Sequence, residues 1–226
     1  MALVESVEVP LGSQMSDFKL KDPNGEEYEG SKLYGSKGLL VAFTCNHCPY
    51  AIAVWPRLIR LSKFAKTLGV NTVGINPNIH PGYPEDAPPR MKEKIKELGI
   101  EFPYLIDETQ GIAKAFQAQC TPDLYLFDST RKLVYHGRFD DNWKEESKVT
   151  KEELKEAVLS TYSKDLIELP DFKKLENDVL FQEKWQPYQA KLDEEEENLE
   201  LSDRDKVERF YTKVREQKIE LMQTLS

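Results

Sequence analysis

Cys45 and Cys48, separated only by Asn46 and His47, are the residues whose type and spacing point most directly to chemistry. Two thiols at this spacing share a site if the first closes a strand and the second opens a helix. The flanking sequence suits that, because Gly38 to Phe43 is a continuous apolar run and Ile52 to Leu68 is a long apolar-rich segment. N–H groups and the dipole at a helix N-terminus stabilise a thiolate on the first cysteine. The second thiol then lies close enough to attack a mixed disulfide formed there. The pattern reads as dithiol–disulfide exchange, with Cys45 attacking and Cys48 resolving. His47, next to Cys48, is placed to donate to a Cys45 thiolate or to stabilise its charge. The bland alternative is a loop histidine without contact to sulfur.

The same cysteine spacing also forms half of a zinc site, which needs two further ligands. Cys120, His80 and His136 are scattered and make no second pair. No metal site and no cofactor site is therefore expected. Cys120 reads as a small, mostly buried residue that is not bonded to Cys45. Thr121-Pro122 precedes an apolar run, Leu124 to Phe127. Proline cannot donate within a sheet, so Pro122 marks a strand start or a cis bond, a trans turn being the commoner case.

The elements that must position these residues alternate along the chain. Short strands are expected at Asp17 to Leu20 and Glu26 to Tyr28, and a buried central strand at Gly38 to Phe43. The helix of Ile52 to Leu68 contains Pro56, where a kink is expected. Val70 to Ile75 is the next strand. Asp86 can cap a helix carrying Met91, Ile95 and Leu98, with Gly99 ending it. A short strand at Pro103 to Ile106 and a helix capped by Asp107 follow. Leu124 to Phe127 and Lys132 to His136 make a hairpin around Asp128 to Arg131. Thr150-Lys151-Glu152-Glu153 reads as a capping box for a last helix. Such alternation means an α/β fold, with parallel pairing first and an antiparallel hairpin near the end.

The composition changes near Pro170. Residues 171 to 226 hold no glycine and no cysteine, and Asp193 to Glu200 is strongly acidic. Two amphipathic helices are expected, roughly over 171–192 and 203–225. Val207, Phe210, Tyr211, Val214, Leu221 and Leu225 form an apolar stripe that requires a partner. That partner is residues 171–192, the preceding domain, or another chain, so a homodimer through these helices is possible. The expected division is a domain at 1–168 and a helical extension at 169–226.

A net charge of −9 disfavours nucleic acid as a partner. No apolar run reaches membrane-span length, and Met1 to Leu20 lacks the basic start and apolar block of a signal peptide. A cytoplasmic setting is the resulting expectation, one in which a close cysteine pair is catalytic or metal-binding rather than a structural staple.

Phe43-Thr44-Cys45-Asn46-His47-Cys48-Pro49-Tyr50 resembles the F-T-C-N-H-C-P motif of a thioredoxin-like, peroxiredoxin-related group of redoxins, of the alkyl hydroperoxide reductase/thiol-specific antioxidant type. Further matching pieces follow in order: Tyr83-Pro84-Glu85-Asp86, Phe102-Pro103-Tyr104-Leu105, Asp107-Glu108-Thr109-Gln110, Cys120-Thr121-Pro122-Asp123 and Gly137-Arg138-Phe139-Asp140-Asp141. The likeness covers about residues 1–165. It implies a thioredoxin fold, a central mixed sheet flanked by helices, in which Pro122 is cis and faces the cysteines. Thr121 would then offer its backbone to an incoming cysteine-containing segment. The implied partners are a cysteine-containing protein or small disulfide substrate and an electron-donating reductase.

The chain departs from the related patterns in two places. Gly38 to Phe43 contains no acidic residue of the kind thioredoxin-like sequences carry there. Ala42 stands where peroxiredoxins place a threonine, three residues before the cysteine. Thiol–disulfide oxidoreductase is thus the leading reading. The alternatives are a peroxiredoxin-like thiol peroxidase and a metal-binding or interaction module on the same fold.

Overall fold

The computed structural model describes residues 7–167, with side chains described through Thr161. The expected extension at 169–226, its helices and its apolar stripe lie outside the described residues.

Its apolar run places Gly38–Phe43 (β3) in the interior of the sheet, with all six residues buried. The flanking strands are Lys19–Lys21 (β1), Glu27–Glu29 (β2), Val70–Asn76 (β4), Tyr104–Ile106 (β5), Asp123–Asp128 (β6) and Leu133–Gly137 (β7). They form one sheet in the order β2-β1-β5-β4-β3-β6-β7. β3 pairs parallel with β4 and antiparallel with β6, in registers that set Phe43 beside Ile75 and Asp123. β4 and β5 are parallel, and β6 and β7 form the antiparallel hairpin. This mixed sheet with helical crossovers is a thioredoxin fold.

The helices are Pro49–Thr67 (α1), Pro88–Leu98 (α2), Gly111–Phe116 (α3) and Glu153–Ile167 (α4). α1 begins three residues before the expected Ile52, because Pro49 takes the first helical position, where no N–H is needed and its fixed φ already fits. The helix continues through Pro56. Its inner face buries Val54, Trp55, Leu58 and Leu61. On one side of the sheet, Phe43, Phe116, Tyr125 and Phe127 interlock edge to face, with ring centroids 5.3–5.9 Å apart.

Two expected helix caps fall elsewhere. Ala87 is the N-cap of α2 and makes no side-chain cap bond, while Asp86 is buried and turned inward. The Thr150 hydroxyl donates to Asp141 rather than capping α4. Asp107 does serve its helix, since its carboxylate accepts from the Ala113 N–H at 2.8 Å. Gly74 is required by close packing: a Cβ there would lie 3.0 Å from the Tyr104 ring. That ring lies under the cysteine loop.

Candidate active site

Beyond β3, the Thr44 N–H donates to the Ile75 carbonyl at 2.9 Å, which extends the β3–β4 ladder by one bond. The chain then turns through Cys45, Asn46 and His47 and reaches Cys48, the N-cap of α1, in an extended conformation. The Cys45 carbonyl accepts a hydrogen bond from Trp55 Nε1 at 3.1 Å. Trp55 is itself wedged edge-on against Tyr104, with ring centroids 5.2 Å apart. The buried indole thus fixes the loop from below. Neither cysteine is in a disulfide, and Cys45 is 0% exposed against 7% for Cys48.

The antiparallel pairing of β6 with β3 brings Thr121 and Pro122 to the same end of the sheet. The Thr121–Pro122 peptide bond is cis. Thr121 Oγ1 lies 3.2 Å from Cys45 Sγ, and Cys48 Sγ donates to the Thr121 carbonyl at 3.2 Å. Cys120 lies just outside this contact and is half-buried rather than mostly buried. It forms no disulfide, and its thiol points to the Pro122 carbonyl at 3.7 Å.

His47 faces Asp86, a residue whose sequence position suggests only a helix cap. Its Nδ1 pairs with Asp86 Oδ2, and its ring stacks on Tyr83 with centroids 4.0 Å apart. Asp86 is completely buried. Its other oxygen accepts from the Asn46 N–H at 2.6 Å and from Asn76 Nδ2 at 3.0 Å. Asn46, for which no role is evident in the sequence, ties the loop down twice more. Its amide donates to the Glu85 carbonyl at 2.9 Å, and its carbonyl oxygen accepts from the Tyr104 hydroxyl at 3.2 Å. The site therefore does contain a buried carboxylate beside the thiols. It comes from a single 3-10 turn at Pro84–Asp86 instead of the central strand.

The two thiols hydrogen-bond each other, and this sharing splits their ionisations. It draws Cys48 down to about 5, helped by the Ala51 and Tyr50 N–H groups and opposed by burial. The same hydrogen bond pushes Cys45 up, with burial second and the Asp86 charge adding to it. The sequence alone placed the low-lying thiolate on Cys45. The structure places it on Cys48 instead, although the pair has a second proton arrangement. When Cys48 stays protonated and donates to the Thr121 carbonyl, the Cys45 sulfur faces the Cys48 N–H and the Thr121 hydroxyl. The two groups interact strongly, so the ionisations belong to the pair, and the first of them lies below that of an ordinary thiol.

A sequence profile described as the AhpC/TSA family matches residues 11–136, more than half of the chain. The chain belongs to the AhpC/TSA family. Its structure is similar to that of an uncharacterized conserved protein from Geobacillus kaustophilus. That protein is 40% identical over 73% of this chain and 88% of its own, with a TM-score of 0.68. A hypothetical protein from Sinorhizobium meliloti is 37% identical over 71% of this chain and 88% of its own, with a TM-score of 0.67. Among curated relatives, the thiol-disulfide oxidoreductase ResA of Bacillus subtilis is 26% identical over 123 residues. That match takes in 54% of this chain and 64% of the relative's length.

In this AhpC/TSA chain, residues from beyond the cysteine loop complete the walls of the site. Arg57 of α1 pairs with Asp140 and donates to the Asn142 carbonyl at 3.0 Å and to the Trp143 carbonyl at 2.6 Å. This accounts for the Gly137–Asp141 motif, whose aspartate anchors the loop that carries Trp143. The Trp143 ring packs on Tyr50, centroids 4.2 Å apart, and Tyr50 packs against the cysteines. Behind Pro122, Asp123 accepts from the Tyr125 hydroxyl at 3.1 Å and pairs with His136 at 2.9 Å. His136 is thus a buried partner of Asp123 on β7.

Proposed function

We infer that this chain is a thiol–disulfide oxidoreductase working through Cys45 and Cys48. One observation carries the reading: two reduced thiols at the N-terminus of α1 both reach Thr121. Of the two proton arrangements, the one with charge on Cys45 keeps both sulfur contacts to Thr121, so Cys45 is the attacking group. Its thiolate attacks a partner disulfide. The partner's S–S bond breaks, and the leaving sulfur takes up a proton. Cys48 then gives up its proton and attacks the Cys45 sulfur of the mixed disulfide. The Cys45–Cys48 disulfide forms and the second partner thiol departs. Two electrons pass to the partner, and an external dithiol restores the pair by the reverse steps.

The ResA relatives, named thiol-disulfide oxidoreductases, support this assignment. A peroxidase reading finds no support at position 42, where a fully buried alanine offers no hydroxyl to a peroxide. The substrate is a cysteine-bearing protein segment or a small disulfide. A cytoplasmic setting and pairing of two copies through the 169–226 segment complete the proposal, and both rest on sequence composition and pattern alone.

The test is reduction of a model protein disulfide by wild type, Cys45→Ser and Cys48→Ser. A mixed disulfide accumulating on Cys45 in Cys48→Ser is the expected result. Accumulation on Cys48 in Cys45→Ser instead would reverse the roles, and turnover by both variants would remove the pair from the mechanism.

A further inference from the structure

We propose that the reduced site is also a closed cation site, in which Cys45, Cys48, His47 and Asp86 together bind one zinc-like divalent ion. The proposal uses the residues of the exchange reaction but does not depend on exchange occurring.

The donors are already gathered. A ligand atom from each of Cys45, His47 and Asp86 lies within 4.8 Å of the other two. The Cys48 sulfur lies outside that group and becomes a fourth donor by turning from the Thr121 carbonyl toward the ion. Tetrahedral zinc holds sulfur at about 2.3 Å and nitrogen or oxygen at about 2.0–2.2 Å, which sets neighbouring donors about 3.3–3.8 Å apart. Binding would open the direct His47–Asp86 pair to that spacing so that the ion sits between them. Cysteine and histidine spacing does not reveal this set, because one member is a carboxylate from a distant loop.

The surroundings fit the preferences of a metal centre. Asp86 Oδ1 is held by the Asn46 N–H and Asn76 Nδ2, which aims Oδ2 at His47. The His47 ring is fixed by its stack on Tyr83. Outer contacts of this kind orient ligands and raise affinity. All four donor residues are buried or half-buried, so bulk water competes weakly. Two thiolates and a carboxylate packed together repel one another, and a divalent cation relieves that repulsion.

The balance is simple. The cation takes one lone pair from each sulfur, one from His47 Nδ1 and one from Asp86 Oδ2. The two thiol protons leave to solvent, and His47 coordinates through an unprotonated Nδ1 with its ring proton on Nε2. The disulfide form has lost two of the four donors, so cation binding and the oxidised state exclude each other.

The experiment uses the full chain, reduced and freed of metal by a chelator. Cobalt(II) is titrated first as an optical probe, and zinc then competes with it. The expected result is one equivalent bound, with tetrahedral d–d bands and thiolate-to-cobalt charge transfer, displaced by zinc. The disulfide form, Cys45→Ser and Cys48→Ser should lose these bands. His47→Ala and Asp86→Asn should weaken binding about tenfold or more. Absence of saturable binding would overturn the proposal. So would wild-type affinity in folded His47→Ala, which would leave only a bare dithiol. His47 is half-buried, so that variant carries the test if Asp86→Asn does not fold. Disulfide reduction measured in chelator separates the two ideas. Activity without metal binding removes only the cation site, and metal binding without activity removes only the exchange reading.

Discussion

Replacing Arg57 with methionine should cost far more stability than one surface charge, and the cost should depend on pH. The Arg57 and Asp140 side chains are 6% and 2% exposed, so the pair is shielded from water. Removing one member of such a pair strands the other in low dielectric, at about 3–5 kcal/mol. The Asn142 and Trp143 carbonyls also lose their donor. In a domain of this size the loss corresponds to a drop in Tm of about 6–20 °C. Burial already pushes the Asp140 carboxyl above its ordinary range, while the Asn142 N–H and Arg57 pull it down. Without Arg57 the folded-state value rises further above the unfolded value of about 3.9. Below that pH both states are protonated and no charge penalty exists. As pH rises, the unfolded state ionises first, so the variant loses stability relative to wild type until the folded state ionises too. The deficit should therefore be larger at neutral pH than near pH 4. Calorimetry and urea unfolding across that range measure it. Arg57→Met with Asp140→Leu should recover part of the loss, because no stranded charge remains. A deficit under about 1 kcal/mol at neutral pH, or one that grows as pH falls, would refute the reasoning.

Three further outcomes are expected. Trp55→Phe removes the donor to the buried Cys45 carbonyl and should cost about 1–3 kcal/mol in thermal unfolding, and an unchanged Tm would show that the bond does not hold the loop. Alkylation of the reduced, metal-free pair should follow a titration near the Cys48 value of about 5. A midpoint at the ordinary thiol value of about 8.5 would mean that the sulfurs do not share a proton. Asp141 is held down to about 2, first by the Thr150 hydroxyl. Its contribution is present above the unfolded carboxyl value of about 3.9 and is lost as pH falls toward 2. Thr150→Val should flatten acid unfolding in that window, and an identical acid profile would count against it.

The parts of the fold written in local pattern were readable from the sequence. The apolar run of β3, the turn at Asp128–Arg131 and the strand-to-helix setting of the cysteines need only near neighbours to be recognised. Pro122 needed the family resemblance, since composition alone favours a trans turn. Asp86 and Thr150 depart from the expected helix caps for one common reason. Each stands before a helix in a capping position, yet each finds a stronger partner elsewhere, in Asn46, Asn76 and His47 for Asp86 and in Asp141 for Thr150. Propensity records how often a side chain caps a helix, not which distant donor the fold will bring to it. Asn46 and Trp55 escaped notice likewise, because their partners Tyr104, Glu85 and Cys45 become visible only once β5 and α1 are in place.

Sheet topology explains why the site could gather such scattered residues. β3 and β4 are parallel neighbours, so the loops that follow them leave the sheet at the same end. One loop carries Cys45 to Cys48, and the other, which follows Asn76 at the end of β4, carries Tyr83 and Asp86. β6 runs antiparallel to β3 and therefore enters at that end, bringing Thr121 and Pro122. A carboxylate on β3 itself would have to lie within a strand that is buried along its whole length. Delivering it from the β4 loop lets Asn46 and Asn76 donors satisfy one oxygen while the other meets His47. The β3 strand stays wholly apolar, and the charge sits where the loops can compensate it. The absence of an acidic residue in Gly38–Phe43 thus reflects a different route for the buried carboxylate, through the turn at Pro84–Asp86.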